Sequence, residues 1–340
     1  MGGGIHRKIF LKIMKTLFTG DLKQIADLEN LLEAWREFAR GKKNKIDVQE
    51  FSLCLMDNLL SLRDDLLHHT YRHGGYQAFR ISDPKPRDIH KAPVRDRVLH
   101  HAIYRILYPF FDKTFIADSF SCRIAKGTHR ALRRFASFGK KASKNNTRTC
   151  WVLKCDIKKF FASIDQKTLM DILKQYIPDR GLIWLLNEVV GSFSSTAPGI
   201  GLPLGNLTSQ LLVNVYMNEL DQFMKHRLKA NYYIRYADDF VIMSSDCKLL
   251  QTTLLEVESF LRNFLKLRLH PDKVFIKTLA SGVDFLGWVH FPNHRVLRTA
   301  TKRRMMKRIG VHPTRETISS YAGLLSHGNA KRLQSNILQR

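Results

Sequence analysis

The stretch from Tyr232 to Ser245 reads YYIRYADDFVIMSS and decides the fold. Two adjacent acids, Asp238 and Asp239, lie between runs of aromatic and β-branched residues, which favour strands. The pattern predicts a β-hairpin with a negatively charged turn at its tip. One acid in a surface turn is ordinary, because Asp tolerates turn geometry. Two consecutive acids in this setting suggest a function, but the hairpin alone leaves both interpretations open.

A second segment reads VLKCDIKKFF and places Asp156 near the end of another predicted strand. An acid inside an apolar strand must be paired or must bind a cation. For this segment alone, an ion pair with Lys154 or Lys158 is the better interpretation. Beside Asp238 on a neighbouring strand, Asp156 is instead predicted to help clamp two Mg²⁺ ions, with the Ile157 carbonyl as a further oxygen ligand. Such a pair of ions activates a 3′-hydroxyl and stabilises a pyrophosphate leaving group.

The composition is strongly basic, with 56 Lys and Arg against 30 acids in 340 residues and a formal net charge of +26. A field of that sign favours polyanions, and nucleic acid is the commonest. Charge alone suits an enzyme and a passive RNA-binding protein equally. The five cysteines form no C-x-x-C pair, so we expect a reduced, intracellular protein without structural zinc. No apolar run of about 18 residues exists, so no membrane partner is expected.

Helices and strands alternate irregularly along the chain. Apolar spacing predicts helices between Gly20 and Tyr71, preceded over Met1–Phe18 by a basic amphipathic helix or a disordered arm. Prolines punctuate short extended pieces between Gly74 and Arg97, and Gly139–Arg148 is expected to be an exposed basic loop. Later helices are predicted at 99–111, 128–136, 169–176, 208–228 and 249–265, and strands at 150–157, 274–276 and 285–289. The predicted fold class is α+β, an antiparallel sheet covered by helices on one face.

Taken in order, these segments resemble the reverse transcriptase family. Tyr236–Asp239 is similar to the family's Tyr-x-Asp-Asp box, and Asp156 with Phe160 and Phe161 is similar to its first palm motif. Further segments resemble the fingers motifs, the block after them, the motif after the metal box and the primer grip: Lys85–Arg87 and Val94–Arg97, Ser121–Leu132, Leu269–Lys273, and Phe285–Trp288. The resemblance covers about residues 71–289 and continues more weakly to the end.

The resemblance implies a right-hand polymerase with fingers, palm and a small helical thumb. The expected boundaries are an N-terminal basic helical extension at 1–70, fingers at 71–149, a palm at 150–290 that includes some fingers elements, and a thumb at 291–340. The implied activity is RNA-directed DNA synthesis, a nucleotidyl transfer. It would take dNTPs, a template RNA and its RNA–DNA hybrid, and two Mg²⁺ ions for which Mn²⁺ can substitute. Asp156, Asp238 and Asp239 would be the catalytic residues.

One block narrows the resemblance within the family. Gly201–Asp221 reads GLPLGNLTSQLLVNVYMNELD, whereas most bacterial reverse transcriptases carry Ser-Pro in place of Ser209-Gln210 and a glutamine in place of Leu204. This departure resembles the enzymes of diversity-generating retroelements, which copy a template RNA with errors at adenines during mutagenic retrohoming. That resemblance implies a small basic accessory protein oligomer as partner. It also implies a cytoplasmic location in a bacterium or archaeon, or a phage-encoded protein.

The resemblance also assigns residues to the incoming nucleotide. Phe161 matches a steric gate against the ribose 2′-hydroxyl, a specificity that works by clash; a core phenylalanine is the alternative. Leu204 and Gly205 would border the nascent base pair. An apolar Leu204 removes a hydrogen-bonding contact that aids discrimination, and Gly205 permits close backbone approach.

Four cations are candidates for contacts with the triphosphate. Lys85, Arg87 and Arg123 would neutralise the charge of the transferring phosphate. Lys273 would protonate the leaving pyrophosphate. Ordinary solvated surface cations remain the alternative for each.

The template and primer are expected to contact eight further residues: Ser209, Gln210, Tyr236, Phe285, Leu286, Gly287, Arg303 and Arg304. Three short amphipathic helices at 295–307, 314–325 and 329–338 would form the thumb and grip the duplex backbone. Tyr321, Leu324 and Leu325 are predicted to form its core.

Three other functions stay open at this point. A reverse transcriptase of a mobile intron or of a phage-defence system would share the same motifs. A polymerase-derived RNA-binding scaffold without catalysis would not need the full set of acids. A nucleotide cyclase also uses paired acids on a related sheet, but it would have no use for the fingers and primer-grip segments.

Overall fold

The computed structural model describes residues 15–82, 86–311 and 313–338, which form two compact units. The first unit takes Met1–Thr114 and Phe161–Tyr216, and the second takes Phe115–Phe160 and Met217–Arg340. Lys85 and most of the predicted Met1–Phe18 helix lie outside the described residues. None of the described helices combines the length and apolarity that a membrane crossing needs.

The regular elements follow one another in an α+β order. The helices are α1 (Leu22–Ala26), α2 (Leu28–Ala39), α3 (Ile46–Leu53), α4 (Leu55–Leu67), α5 (Val94–Thr114), α6 (Thr128–Ala142), α7 (Gln166–Leu173), α8 (Arg180–Gly191), α9 (Leu207–Gln222), α10 (Cys247–Asn263), α11 (Thr299–Val311), α12 (Arg315–Leu325) and α13 (Lys331–Leu338). The strands are β1 (Gln77–Ile81), β2 (Arg87–Lys91), β3 (Trp151–Asp156), β4 (Tyr233–Tyr236), β5 (Asp239–Ser244), β6 (Phe275–Thr278), β7 (Val283–Phe285), β8 (Trp288–His290) and β9 (Arg295–Leu297).

Among the described residues of the first unit, the only strands are β1 and β2, which form an antiparallel hairpin. The expected helices between Gly20 and Tyr71 are confirmed as α1 to α4, and side chains explain where two of them begin. Asp21 and Asp27 accept hydrogen bonds from the backbone N–H groups of Gln24 and Asn30, and so cap α1 and α2. The punctuated stretch after Tyr71 forms the β1–β2 hairpin that precedes α5.

The second unit is built on a four-stranded sheet in the order β4-β5-β3-β6, in which every pairing is antiparallel. The predicted hairpin is confirmed as β4 and β5, and the predicted strand around Asp156 is β3. Successive strand residues point to opposite faces. Val152 belongs to the core cluster with Phe135 of α6, yet Leu153 and Cys155 are buried too. The sheet is therefore buried on both faces, not on one as predicted.

A smaller sheet, β7-β8-β9, leads into the three C-terminal helices. The single strand predicted at 285–289 is a tight hairpin, because Leu286 and Gly287 have positive φ angles of 50° and 86°. The helices predicted at 314–325 and 329–338 form as α12 and α13, whereas the helix predicted at 295–307 begins only at Thr299, because Arg295–Leu297 pairs with β8 as strand β9. Leu325 is buried, and Tyr321 and Leu324 pack against the same core. The basic loop expected at 139–148 begins later, since α6 continues to Ala142.

Candidate active site

Strand pairing brings the three predicted carboxylates to one end of the sheet. Asp156 is the direct partner of Asp239 across β3 and β5, and Asp238 lies in the turn between β4 and β5. The backbone N–H of Ile157 donates to the carbonyl oxygen of Asp238 at 3.2 Å, which ties the end of β3 to the turn. Residue Ala237 has a φ of 56°, so the turn passes through the left-handed region just before the acids.

Two lysines neutralise part of this negative charge. Nζ of Lys154 lies 3.3 Å from Oδ2 of Asp239, and Nζ of Lys273 lies 2.9 Å from Oδ1 of Asp156. The alternative considered for Asp156, an ion pair with Lys154 or Lys158, is therefore not the pairing observed. The predicted pyrophosphate-side cation, Lys273, contacts a carboxylate of the site directly.

Lys154 only partly offsets the effect of burial on the carboxylate of Asp239. Burial raises the pKa of Asp239 to about 7, and the charges of Asp156 and Asp238 raise the pKa in the same direction, whereas Lys154 opposes the shift. Within the described residues, Oδ1 of Asp239 is a buried oxygen without a hydrogen-bond partner. A buried, orphaned carboxylate oxygen beside two other acids suits a hard cation with oxygen ligands.

The carboxylates are not already arranged as metal ligands. Among the described residues no group of three or more His, Cys, Asp or Glu side chains has the geometry of a cation site. Asp156 and Asp239 face lysines instead. The oxygen donors are nevertheless of the chemistry that fits Mg²⁺, and Lys273 contacts one of the two carboxylate oxygens of Asp156.

Tyr236 and Arg123 lie in the same unit as the carboxylates. The hydroxyl of Thr128, at the start of α6, donates to the Tyr236 hydroxyl at 3.1 Å. Nη1 of Arg123 donates to the carbonyl oxygens of Ile116 and Ser119 at 2.7 and 3.0 Å, so its guanidinium organises the preceding loop.

The first unit holds the residues predicted to border the incoming base. The backbone N–H of His90 in β2 donates to the carbonyl oxygen of Leu204 at 3.0 Å. Gly205 has a φ of 112°, and a Cβ there would approach Cγ2 of Ile89 to 2.8 Å. Glycine is therefore required at 205 by backbone conformation and by close packing on β2.

The other nucleotide candidates differ in exposure. Phe161, for which a core position was the alternative to the steric gate, is half-buried, and its carbonyl oxygen accepts a hydrogen bond from the Leu202 N–H at 2.8 Å. The neighbouring Phe160 is buried. Arg87 is exposed at the start of β2.

The template and primer candidates are spread over several elements. Ser209 is buried and Gln210 is half-buried on α9. Phe285 is fully buried in the core, which leaves the half-buried turn residues Leu286 and Gly287 as the accessible part of the predicted grip. On α11, Arg303 is exposed and Arg304 is half-buried.

A buried ion pair beside the carboxylate turn, between Arg235 and Asp221, was not predicted from the sequence. An arginine in the apolar run YYIRY was the available signal.

An antiparallel sheet that carries this set of acids at a hairpin turn, within a mixed helix and sheet fold, defines the palm of a right-hand polymerase. The sequence profile of the family described as "Reverse transcriptase (RNA-dependent DNA polymerase)" matches residues 82–290, more than half of the chain. The chain belongs to this family. Proteins of the family bind RNA and DNA templates and generally use divalent metal ions.

Curated relatives include bacterial and intron-encoded proteins. Protein YkfC of Escherichia coli (strain K12) is 26% identical over 306 residues, which are 77% of this chain and 77% of that protein. The group II intron-encoded protein LtrA of Lactococcus lactis subsp. cremoris is 24% identical over 282 residues, 62% of this chain and 45% of that protein. The putative COX1/OXI3 intron 2 protein of Saccharomyces cerevisiae is 20% identical, and the match covers 81% of this chain but 39% of that protein. The chain thus spans less than half the length of these two intron proteins.

One solved structure that matches part of this chain is a chain of the partial Cas6-RT-Cas1–Cas2 complex. It is 23% identical to this chain, with a TM-score of 0.44, and the match covers 71% of this chain and 42% of that chain.

Proposed function

We propose that this chain is an active RNA-directed DNA polymerase whose catalytic carboxylates are Asp156, Asp238 and Asp239. The observation that supports the proposal best is the meeting of the three acids at one end of the sheet, with a buried oxygen of Asp239 that has no protein partner. A non-catalytic RNA-binding scaffold would have no reason to keep this carboxylate, because a buried oxygen without a hydrogen-bond partner costs stability.

Mg²⁺ is the cation we assign to the site, held by the three carboxylates and the Ile157 carbonyl, with Mn²⁺ able to replace it. When bound, the ions lower the pKa of the primer 3′-hydroxyl and stabilise the charge of the leaving pyrophosphate. In the transfer, the primer 3′-oxygen bonds to the α-phosphorus of the dNTP and the bond to the β-phosphate oxygen breaks. We assign Lys273 the protonation of the departing pyrophosphate.

The nucleotide and the duplex are assigned to the remaining candidates. Phe161 excludes the ribose 2′-hydroxyl, and Leu204 with Gly205 borders the nascent pair. The triphosphate clamp is assigned to Lys85, Arg87 and Arg123. The template and primer contacts are assigned to Ser209, Gln210, Tyr236, Leu286, Gly287, Arg303 and Arg304, while the buried Phe285 supports the grip turn from the core. The fingers, palm and thumb boundaries given above remain a prediction.

The finer proposal concerns the biological role. Leu204 and Ser209-Gln210 support a reverse transcriptase of a diversity-generating retroelement, error-prone at template adenines and assisted by a small basic accessory protein. An apolar side chain at 204 removes one source of base discrimination by hydrogen bonding. The second candidate is a mobile-intron reverse transcriptase, which the similarity to intron-encoded proteins supports.

The activity is tested by primer extension on an RNA template with dNTPs and Mg²⁺. We expect Asp238→Ala to abolish extension and to leave RNA affinity within about twofold, because that affinity comes mainly from Lys and Arg contacts to phosphate. Asp171→Ala, which removes an exposed carboxylate of α7, is the matched control and should behave as the parent. Full extension by the Asp238 variant would refute the carboxylate assignment.

The choice between the retroelement role and the mobile-intron role is tested by sequencing the cDNA that the parent protein makes. A retroelement enzyme should misincorporate more often opposite adenine than opposite cytidine, whether or not a small basic accessory protein is added. Equal fidelity at the two bases in both conditions would favour the intron-type candidate.

A further inference from the structure

A buried ion pair lies directly beneath the turn that carries Asp238. Nε of Arg235 donates to Oδ1 of Asp221 at 2.8 Å, and Nη2 donates to Oδ2 at 2.7 Å. The pair is bidentate, and both side chains are 0% exposed. Arg235 stands in β4 one residue before Tyr236, and Asp221 stands near the end of α9.

The remaining donors of Arg235 reach two other segments. Nη2 also donates to the Ser119 hydroxyl at 3.1 Å, and Nη1 donates to the carbonyl oxygen of Ala237 at 3.2 Å. Asp221 in turn accepts a hydrogen bond from the Tyr233 hydroxyl at 2.7 Å. The guanidinium therefore joins the end of α9, the loop before α6 and the carboxylate turn.

Stability alone does not account for this arrangement. Apolar side chains of similar volume are often as stable as a buried ion pair, because desolvation offsets the attraction between the charges. The contact with Ala237 is different in kind, since this residue has a φ of 56°, a conformation that costs an alanine free energy. A hydrogen bond to its carbonyl oxygen favours that conformation over the alternatives.

We propose that Arg235 is a positioning residue, which holds Ala237 in the left-handed conformation and so fixes Asp238 and Asp239 against Asp156. Asp221 orients the guanidinium for this task. The inference rests on the proposed function, since it concerns the cation affinity of the same carboxylates. Only a fork-shaped side chain can bind both oxygens of Asp221 and reach Ala237 at once, so lysine cannot replace it.

The test compares three variants with the parent. Arg235→Lys keeps the buried positive charge but loses the planar guanidinium group that binds both oxygens of Asp221. The triple variant Arg235→Met, Asp221→Leu, Tyr233→Phe replaces the whole polar cluster with apolar residues. Tyr233→Phe alone is the matched control, because it removes one hydrogen bond to Asp221 and leaves the contact with Ala237.

Mn²⁺ affinity, measured by electron paramagnetic resonance without nucleotide, is the main readout. RNA affinity, the melting temperature and the Mg²⁺ dependence of primer extension accompany it. We expect the Mn²⁺ dissociation constant to rise at least tenfold in Arg235→Lys and in the triple variant, while RNA affinity stays within twofold. Tyr233→Phe should keep the parent's Mn²⁺ affinity even where its melting temperature falls.

Three results would overturn the inference. A folded Arg235→Lys protein with the parent's Mn²⁺ affinity and extension rate would show that the turn needs no guanidinium. Unfolding of both Arg235 variants beside a folded Tyr233→Phe protein would assign the cluster a purely structural role. A parent that neither binds Mn²⁺ nor extends a primer would refute the proposed function, and the inference would fail with it.

Discussion

The buried carboxylate of Asp239 predicts that the protein without divalent cations loses stability as the pH rises. In the folded protein burial raises the pKa of Asp239 from 3.8 to about 7. The unfolded chain has released this proton above about pH 4, whereas the folded chain keeps it until about pH 7. The folded state therefore binds more protons than the unfolded state across this window, and the free energy of unfolding falls as the pH rises through it.

The size of the effect follows from the shift. A difference of roughly three pKa units corresponds to about 4 kcal/mol over the full window at about 1.36 kcal/mol per unit. Between pH 5 and pH 8 the free energy of unfolding should fall by roughly 2–3 kcal/mol. Relaxation of the protein around the ionised Asp239 reduces this loss to about 2 kcal/mol. The side chain of Asp239 is 18% exposed, which leaves little room for screening by solvent.

Asp239→Asn is the perturbation that isolates this effect, because asparagine does not titrate. We expect the parent to lose about 2 kcal/mol more than the variant between pH 5 and pH 8, in urea unfolding with a chelator present. Asp171→Asn, at an exposed carboxylate, should keep the parent's slope. Mg²⁺ at pH 8 should stabilise the parent and not Asp239→Asn, since a ligand stabilises the state that binds it. Equal pH slopes for the parent and Asp239→Asn would refute the reasoning.

Three further predictions concern the nucleotide side of the site. Phe161→Ala should admit ribonucleotides when dNTPs and rNTPs are compared in separate reactions, and an unchanged preference with activity retained would make Phe161 a core residue. Gly205→Ala should destabilise the protein by roughly 1–3 kcal/mol in urea unfolding because of its backbone conformation; Gly191→Ala, where a Cβ meets nothing within 4 Å, is the control, and equal stabilities would contradict the assignment. Leu204→Gln should lower misincorporation opposite adenine relative to cytidine by on the order of 1 kcal/mol in discrimination, read from sequenced cDNA. An unchanged ratio would remove Leu204 from the fidelity argument.

Local patterns were enough to locate the acids but not to pair them. The hairpin at Asp238 and the strand ending at Asp156 follow from short runs of strand-forming residues, and both are confirmed. Their register, with Asp156 opposite Asp239, joins residues far apart in the chain, which no local period encodes. Local patterns could not predict the ion pair between Lys273 and Asp156 either, because these two residues are far apart in the chain and meet only in the folded structure.

Two other features could not be predicted from the sequence, each for a different reason. The turn at Leu286-Gly287 places a leucine at a positive φ, where turn preferences favour glycine, asparagine or aspartate, so one strand was predicted instead of a hairpin. Arg235 stands in an apolar run where a buried charge requires a partner, and that partner, Asp221, lies on a separate helix. The contacts of the Arg235 guanidinium with Asp221, Ser119 and Ala237 depend on a tertiary structure that a single sequence does not specify.

The order of the strands in the central sheet has a consequence for synthesis on the ribosome. Strand β3 ends at Asp156, and its neighbours β5 and β6 begin at Asp239 and Phe275. At roughly 5–20 residues per second, the ribosome needs about 4–17 s to reach β5 after completing β3. Throughout that interval an apolar strand has two unpaired edges, which are open to any other extended chain nearby. The nascent protein is therefore most vulnerable to aggregation after Asp156 has been made and before Asp238 and Asp239 have emerged.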